Sequence, residues 1–233
     1  MHRSSRFGRA FIQRNLRWTA VLAMAQLGWT VRAEAQLPGL PVLQNSFVGP
    51  GFAAAVNGGG GSGASAYAAA LGWAPSSARF QVSIGAGAFV SGGETGGAFG
   101  ARVAVPVFSF MNGNLGVAAF AGVGGAQGPR AQGGRVGLGQ APIGAAVGYR
   151  RALGATRGLS VYAAPFFGYF RNDFGDNTTS AGLFRFSIGA DFAVTRALGV
   201  TAGLEAGQGR SGEDPGASGT IWGAGISYAF GRR

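Results

Sequence analysis

The 233-residue sequence contains no cysteine and no lysine, and its single histidine is His2. The absence of cysteine excludes disulfides, thiolate metal sites and cysteine nucleophiles. The absence of histidine from the rest of the chain excludes Ser-His-Asp and Cys-His catalytic groups and imidazole metal sites. Without lysine, the chain has no P-loop of the kind that cradles nucleotide phosphates. The sequence therefore predicts neither an enzyme nor a protein that carries a metal or another cofactor.

Charged residues are also scarce, because they make up 12% of the chain against roughly 25% in typical soluble globular proteins. The net charge is +11, but six of the 19 arginines precede residue 36 and the others are scattered without a basic stripe. This distribution argues against a nucleic-acid partner. By contrast, the 46 glycines follow no G-X-Y period and are accompanied by 18 phenylalanines. Collagen and a disordered chain are therefore both excluded.

Long hydrophobic runs are missing as well. The apolar run at residues 18–31 follows an arginine-rich segment and is too short to span a bilayer as a helix. Ala33 and Ala35 then supply the small residues of an A-x-A cleavage site. These features predict a cleaved secretory signal peptide over residues 1–35, with an amphipathic surface helix as the alternative. Residues 36–46 contain two prolines and are predicted to form a periplasmic N-terminal extension.

The rest of the chain alternates bulky apolar residues with small or polar ones. In GLFRFSIGADFAV (182–194), for example, Phe184 and Phe186 share one face and Arg185 lies on the other. A period of two indicates β-strands with two different faces. Short turns alternate strictly with longer glycine-rich or polar loops. The turns are at 74–78, 110–114, 153–158 and 195–199, and the loops are at 57–65, 91–97, 126–135, 171–180 and 208–218.

Nine connections imply ten strands, with both ends of the array on the side of the short turns. The predicted strands lie near 50–57, 66–73, 79–90, 98–109, 114–124, 136–150, 158–170, 180–194, 198–207 and 218–230. A bulky face beside a face of glycine, alanine and serine suits a barrel with lipid outside and a lumen inside. A soluble sandwich with so few charges would expose a large apolar surface.

We therefore predict an all-β fold, a closed antiparallel transmembrane up-and-down β-barrel over residues 47–233. Ten strands are expected, with eight as the alternative. An exported soluble glycine-rich β-protein is the alternative to a membrane barrel.

The segment GTIWGAGISYAF (219–230) has an apolar or aromatic residue at every second position and ends on Phe230. With this strand, the predicted signal peptide and the alternation of loops and turns, the chain resembles the small porin-like outer-membrane β-barrel proteins of Gram-negative bacteria. The resemblance implies a location in the bacterial outer membrane, contact with its lipid, and a last strand that is read by the barrel-assembly machinery. The residues that would carry this assembly signal are Trp222, Ile226, Tyr228 and Phe230. The chain departs from the family pattern because three residues, 231–233, follow the final aromatic.

Four charged residues are expected to form a charge cluster in the lumen: Arg102, Arg185, Asp191 and Glu205. Pairing Val194 with Leu198 across a tight turn would place Arg185 diagonal to Glu205, within reach of an ion pair. Such a pair is either structural or part of a charged constriction that selects solutes. The small residues of the lumen favour a narrow passive pore for small solutes. The alternative is a non-transporting structural or surface-interaction barrel that acts through its outer loops.

Overall fold

A computed structural model describes residues 49–61, 64–91, 93–129, 135–174, 177–207 and 220–230. The predicted signal peptide (1–35), the predicted extension (36–46) and residues 231–233 lie outside the described residues. The described part contains ten strands: β1 (Gly51–Gly61), β2 (Ala64–Ala74), β3 (Gln81–Ser91), β4 (Glu94–Phe110), β5 (Leu115–Pro129), β6 (Arg135–Ala152), β7 (Gly158–Phe174), β8 (Asn177–Ala193), β9 (Leu198–Gly207) and β10 (Ile221–Ala229). Within the same residues, no helix combines the length and the apolar character needed to cross a membrane.

The strands close into one barrel. Each strand pairs with its neighbours along the chain, and β1 closes the barrel by pairing antiparallel with β10. At this seam Val56 lies opposite Ile226 and Ala53 lies opposite Ala229. Closure leaves no free sheet edge, so every strand has a hydrogen-bonded partner on both sides. The ten-stranded up-and-down barrel confirms the predicted fold class and strand number, and excludes the eight-stranded alternative.

The two ends of the barrel are named by their connections. The turn end carries residues 75–80, 111–114, 153–157 and 194–197, and the loop end carries 62–63, 92–93, 130–134, 175–176 and 208–220. At the turn end, the predicted turns match these connections to within two residues. At the loop end, the predicted loops are largely wrong, because the strands continue through most of them. An antiparallel ladder needs only backbone groups, so glycine and polar residues can extend a hairpin beyond the apolar part of the wall.

The barrel wall is consequently taller on one side. Strands β4 to β8 have 15–18 residues, whereas β9, β10 and β1 to β3 have 9–11. A tilted strand of the longer kind rises about 40 Å along the barrel axis, more than the apolar band of about 25 Å that a membrane barrel presents to lipid. The long strands therefore extend past the apolar belt at the loop end.

The outer face of the barrel is apolar and exposed. Phe99, Ile143 and Ile226, for example, are 57–65% exposed, and they point away from the lumen. Near the turn end, aromatic side chains contact one another on this face, with ring centroids 6.4 Å apart for Phe52–Trp73 and 5.1 Å apart for Tyr228–Phe230. An exposed apolar wall with aromatic residues near its edge is the surface that lipid requires.

Candidate functional site

The inward face of the barrel carries small side chains on some strands and large side chains on others. The inward positions of β1 and β2 carry alanine, glycine and Asn57. Larger inward side chains come mainly from the long strands β4 to β8 and from β9. Those with little exposure are Phe120 on β5, Gln140 on β6, Tyr162 and Phe166 on β7, Leu183 and Arg185 on β8, Glu205 on β9 and Ile221 on β10.

The predicted ion pair between β8 and β9 is present. The register places Ser187 opposite Glu205 and Arg185 opposite Gly207, so Arg185 lies diagonal to Glu205 as predicted from the tight turn. The Nε atom of Arg185 donates a hydrogen bond to Oε1 of Glu205 at 2.5 Å. The two side chains are only 2% and 1% exposed. Strand register thus brings these two charged groups together inside the barrel wall.

Glycine gives Arg185 the room to adopt this position. A Cβ atom at Gly207 would lie 2.6 Å from Cγ of Arg185, much closer than a carbon–carbon contact allows. The guanidinium carbon of Arg185 also lies 5.8 Å from the ring centroid of Phe170. This distance suits a cation–π interaction, which adds to the ion pair.

Two aromatic side chains lie in the lumen beside the ion pair. Phe166 lies opposite Arg185 on the neighbouring strand. Its ring meets that of Phe120 edge to face, with centroids 6.1 Å apart. Gly144 on β6 lies between them and pairs with both residues. We refer to Phe120, Phe166, Arg185 and Glu205 together as the lumen plug.

The other two predicted lumen charges lie nearer the turn end. Ser160 donates a hydrogen bond of 3.3 Å to Oδ2 of Asp191. The guanidinium carbon of Arg102 lies 5.8 Å from the centroid of Phe120, and Arg102 is within electrostatic range of Asp191. Asp191 is six residues from Arg185 along β8, or about 20 Å. The four charged residues therefore form two groups along the lumen.

A cavity of about 1040 Å³ occupies the turn-end part of the lumen. Arg102 and Asp191 line it, together with small residues of β1 and the connections at 153–157 and 194–197. At its rim, Nε of Arg150 donates a hydrogen bond of 2.8 Å to the carbonyl oxygen of Gly113.

Three further arginines line the same cavity and were missed by reasoning from the sequence: Arg151, Arg157 and Arg196. The sequence did contain a signal for these arginines, since all three lie in or beside predicted short turns that share one end of the barrel.

The four residues of the predicted assembly signal lie outside the lumen. Trp222, Ile226, Tyr228 and Phe230 are on the outer face of the last strand and its end, and each is 49–57% exposed. The structure therefore separates them from the charged lumen residues.

A closed antiparallel wall with an apolar exterior is one of the two ways in which a chain can satisfy its backbone groups inside a bilayer. The chain has the architecture of an outer-membrane β-barrel protein. This architecture agrees with the predicted location in the bacterial outer membrane.

Comparisons with known proteins find similarity at a low level, and only to solved structures. No protein-family model matches the sequence, and no curated protein is significantly similar to it. Among solved structures, the barrel is similar to the beta domain of the Bordetella autotransporter BrkA, with 16% identity over 77% of this chain and 99% of that chain and a TM-score of 0.44.

Two further structures are similar at the same level. They are the outer membrane protease OmpT from Escherichia coli (9% identity, 78% of this chain and 94% of that chain, TM-score 0.39) and the translocator domain of the autotransporter NalP from Neisseria meningitidis (11% identity, 78% and 89%, TM-score 0.41). These values are too low to transfer the activity of any of the three proteins to this barrel.

Proposed function

We propose that this protein is a non-transporting outer-membrane barrel whose lumen is closed by the lumen plug. The observation that carries the proposal is the burial of Arg185 and Glu205, which are 2% and 1% exposed although they point into the lumen. Charged side chains that line an aqueous pore are in contact with water. A pair so completely enclosed instead supports a lumen filled by side chains at this height.

The filling is consistent with the size of the barrel. Eight strands enclose a space that side chains just fill, and ten strands enclose more. The extra space is taken by two aromatic rings and a charge-assisted hydrogen bond, and Gly144 and Gly207 leave room for them. A buried charge pair in a well-packed wall fixes the geometry of the side chains around it, which supports a structural role.

A role for the outer loops in surface interactions has less support. Three of the loop-end connections are two residues long, at 62–63, 92–93 and 175–176. Hairpins of this length offer little surface for a partner. Any surface role would fall on the projecting ends of the long strands or on the connection 208–220.

The outer face of β10 is proposed to contact outer-membrane lipid and to be read by the barrel-assembly machinery, as the resemblance to outer-membrane barrels implies. The exposure of Trp222, Ile226, Tyr228 and Phe230 supports access to this face.

A narrow passive pore for small solutes is the second candidate function. The cavity at the turn end favours it, because about 1040 Å³ of the lumen is open. A solute that crossed the barrel would then have to displace or bypass the lumen plug.

Planar-bilayer recording of the purified protein tests these two functions. We expect no discrete conductance steps from the wild type, whereas a Phe120→Ala/Phe166→Ala double variant should conduct because it removes both rings of the plug. The matched control is Phe99→Ala/Phe167→Ala, which removes two exposed rings from the outer face and should remain silent. Heat-modifiable migration on a gel verifies that each variant is folded. Discrete steps from the wild type would overturn the closed lumen and favour the pore.

A further inference from the structure

The cavity at the turn end has a strongly basic lining. Its charged residues are Arg102, Arg150, Arg151, Arg157, Arg196 and Asp191, five arginines against a single acid. The lining thus carries a net charge of +4 in a chain in which charged residues make up only 12%. This concentration of one sign of charge distinguishes the cavity from the rest of the lumen.

The arginines reach the cavity from several parts of the barrel. Arg102 lies on β4 beside the ring of Phe120, at the inner limit of the cavity. Arg150 lies near the end of β6, Arg157 belongs to the β6–β7 connection, and Arg196 belongs to the β8–β9 connection. Positive charge therefore lies both at the floor of the cavity and at its rim.

We propose that this cavity is a binding site for a small anion that carries phosphate groups. A concave site with walls of low dielectric constant focuses the field of its charges and concentrates counter-ions. Arginine presents planar N–H donors that match the oxygen geometry of phosphate. The volume of about 1040 Å³ is at the upper end of small-molecule sites, so it accommodates an organic phosphate as well as an inorganic one.

The site does not depend on whether the barrel conducts. A closed plug would make the cavity a pocket open to the turn end, and an open plug would make it an anion-selective entrance. Arg102 is the decisive residue because it lies inside the barrel wall, whereas the arginines of the connections are exposed at the rim.

Isothermal titration calorimetry with inorganic pyrophosphate tests the proposal, using the full protein in a maltoside detergent that contains no phosphate. We expect saturable binding to the wild type at low salt that weakens as salt is added, because the charges are screened. Arg102→Gln should weaken binding at least tenfold. Since Arg102→Gln alters the packing beside Phe120, a second variant, Arg157→Gln/Arg196→Gln, removes two charges from exposed connections and should also weaken binding severalfold.

Arg171→Gln is the matched control, because it removes the same charge at the loop end, away from the cavity. It should leave the affinity for pyrophosphate unchanged. Failure of the wild type to bind pyrophosphate would overturn the proposal. Equal losses in Arg171→Gln and in the rim variant would also overturn it, because they would show attraction to net charge alone.

A phosphate group can also come from a lipid headgroup, and a competition experiment distinguishes this source. Short-chain phosphatidylglycerol that displaces pyrophosphate from the wild type, but does not bind Arg102→Gln, would identify the cavity ligand as a headgroup. Lipid that binds both proteins equally and leaves pyrophosphate bound would assign the cavity to a soluble phosphate. Lipid that displaces pyrophosphate while binding Arg102→Gln as tightly as the wild type would place the anion site on the outer surface and overturn the proposal. The conductance of the wild type bears on the plug alone, so failure of either proposal is recognised separately.

Discussion

Two arginine–carboxylate pairs in this barrel have similar chemistry and different surroundings. In the lumen, Nε of Arg185 lies 2.5 Å from Glu205, and both side chains are almost completely buried. At the loop end, Nε of Arg171 lies 3.2 Å from Asp173, and the side chains are 57% and 43% exposed. The first pair is enclosed by the barrel wall and by aromatic rings, and the second is screened by water. This difference predicts that position in the barrel, more than the pairing of charges, decides how much such a pair contributes to stability.

The largest effect is expected from breaking the buried pair. Arg185→Ala leaves the carboxylate of Glu205 without its guanidinium in an enclosed site, which should lower the free energy of unfolding by about 3–5 kcal/mol. Urea titration of the barrel in lipid vesicles measures the change. A double variant, Arg185→Leu/Glu205→Leu, removes both charges and should be more stable than the single variant. A single variant as stable as the wild type would show that burial of this pair has no energetic consequence.

The second prediction compares an arginine in the lumen with an arginine on the outer face. Ile226 is 57% exposed on the outer face of β10, near the middle of that strand. Ile226→Arg places a charge in lipid and should lower the free energy of unfolding by about 2–4 kcal/mol if the site is near the bilayer midplane. Ile226→Leu keeps the apolar surface and is the control. If urea titration in vesicles finds the two variants equally stable, the outer face does not contact lipid.

A smaller effect is expected from filling the space that glycine leaves for the plug. A Cβ atom at Gly144 would lie 2.5 Å from the carbonyl oxygen of Pro165 and 2.8 Å from Cα of Phe166. Gly144→Ala should therefore lower the free energy of unfolding by about 1–3 kcal/mol, because the backbone has to shift. At Gly97 an added Cβ would meet no atom within 4 Å, so Gly97→Ala is the matched control. Equal stability of the two variants in the same titration would mean that the wall beside Phe166 is loosely packed.

Much of the fold followed from the sequence because the alternation of side chains has a period of two. A register shift of one residue would have put Arg185 on the lipid face, so the pattern determines the faces of each strand. The tight turn after β8 also fixed its pairing with β9, and with it the contact between Arg185 and Glu205. The limits of the strands at the loop end did not follow, since polar residues and glycine occur in loops and in extended hairpins alike.

The contents of the lumen were harder to predict. Alternation within a strand shows that a side chain points inward, but contacts across the lumen depend on the stagger of several strands. Phe120 and Phe166, for example, meet across Gly144 on the strand between them. The basic cavity depends on the same information only in part. Its rim arginines lie in or beside the predicted turns, whereas Arg102 on β4 shares a cavity with them only once the barrel has closed.

The smallest effect is expected at the exposed pair. Thr178 donates a hydrogen bond of 2.6 Å to Asp173, and together with Arg171 it holds the pKa of Asp173 below its usual value. Because the pKa is lower in the folded state, any stabilisation is present above the unfolded pKa of about 3.9 and is lost as the pH falls through the folded pKa. At pH 7, Arg171→Ala should produce no resolvable change in the free energy of unfolding, since water screens the pair.

Urea titrations of the wild type and Asp173→Asn at pH 7 and at pH 3 test the sign of this effect. Any difference between the two proteins should be greatest at neutral pH and should shrink on acidification, because the carboxylate of Asp173 loses its charge as the pH falls through its folded pKa. Arg185→Ala in the same vesicles is the reference variant, because it should lower the free energy of unfolding at pH 7 much more than Arg171→Ala does. If the two arginine variants lost equal stability, enclosure by the barrel wall would not be what separates the two pairs, and the structural role proposed for the lumen plug would lose its basis.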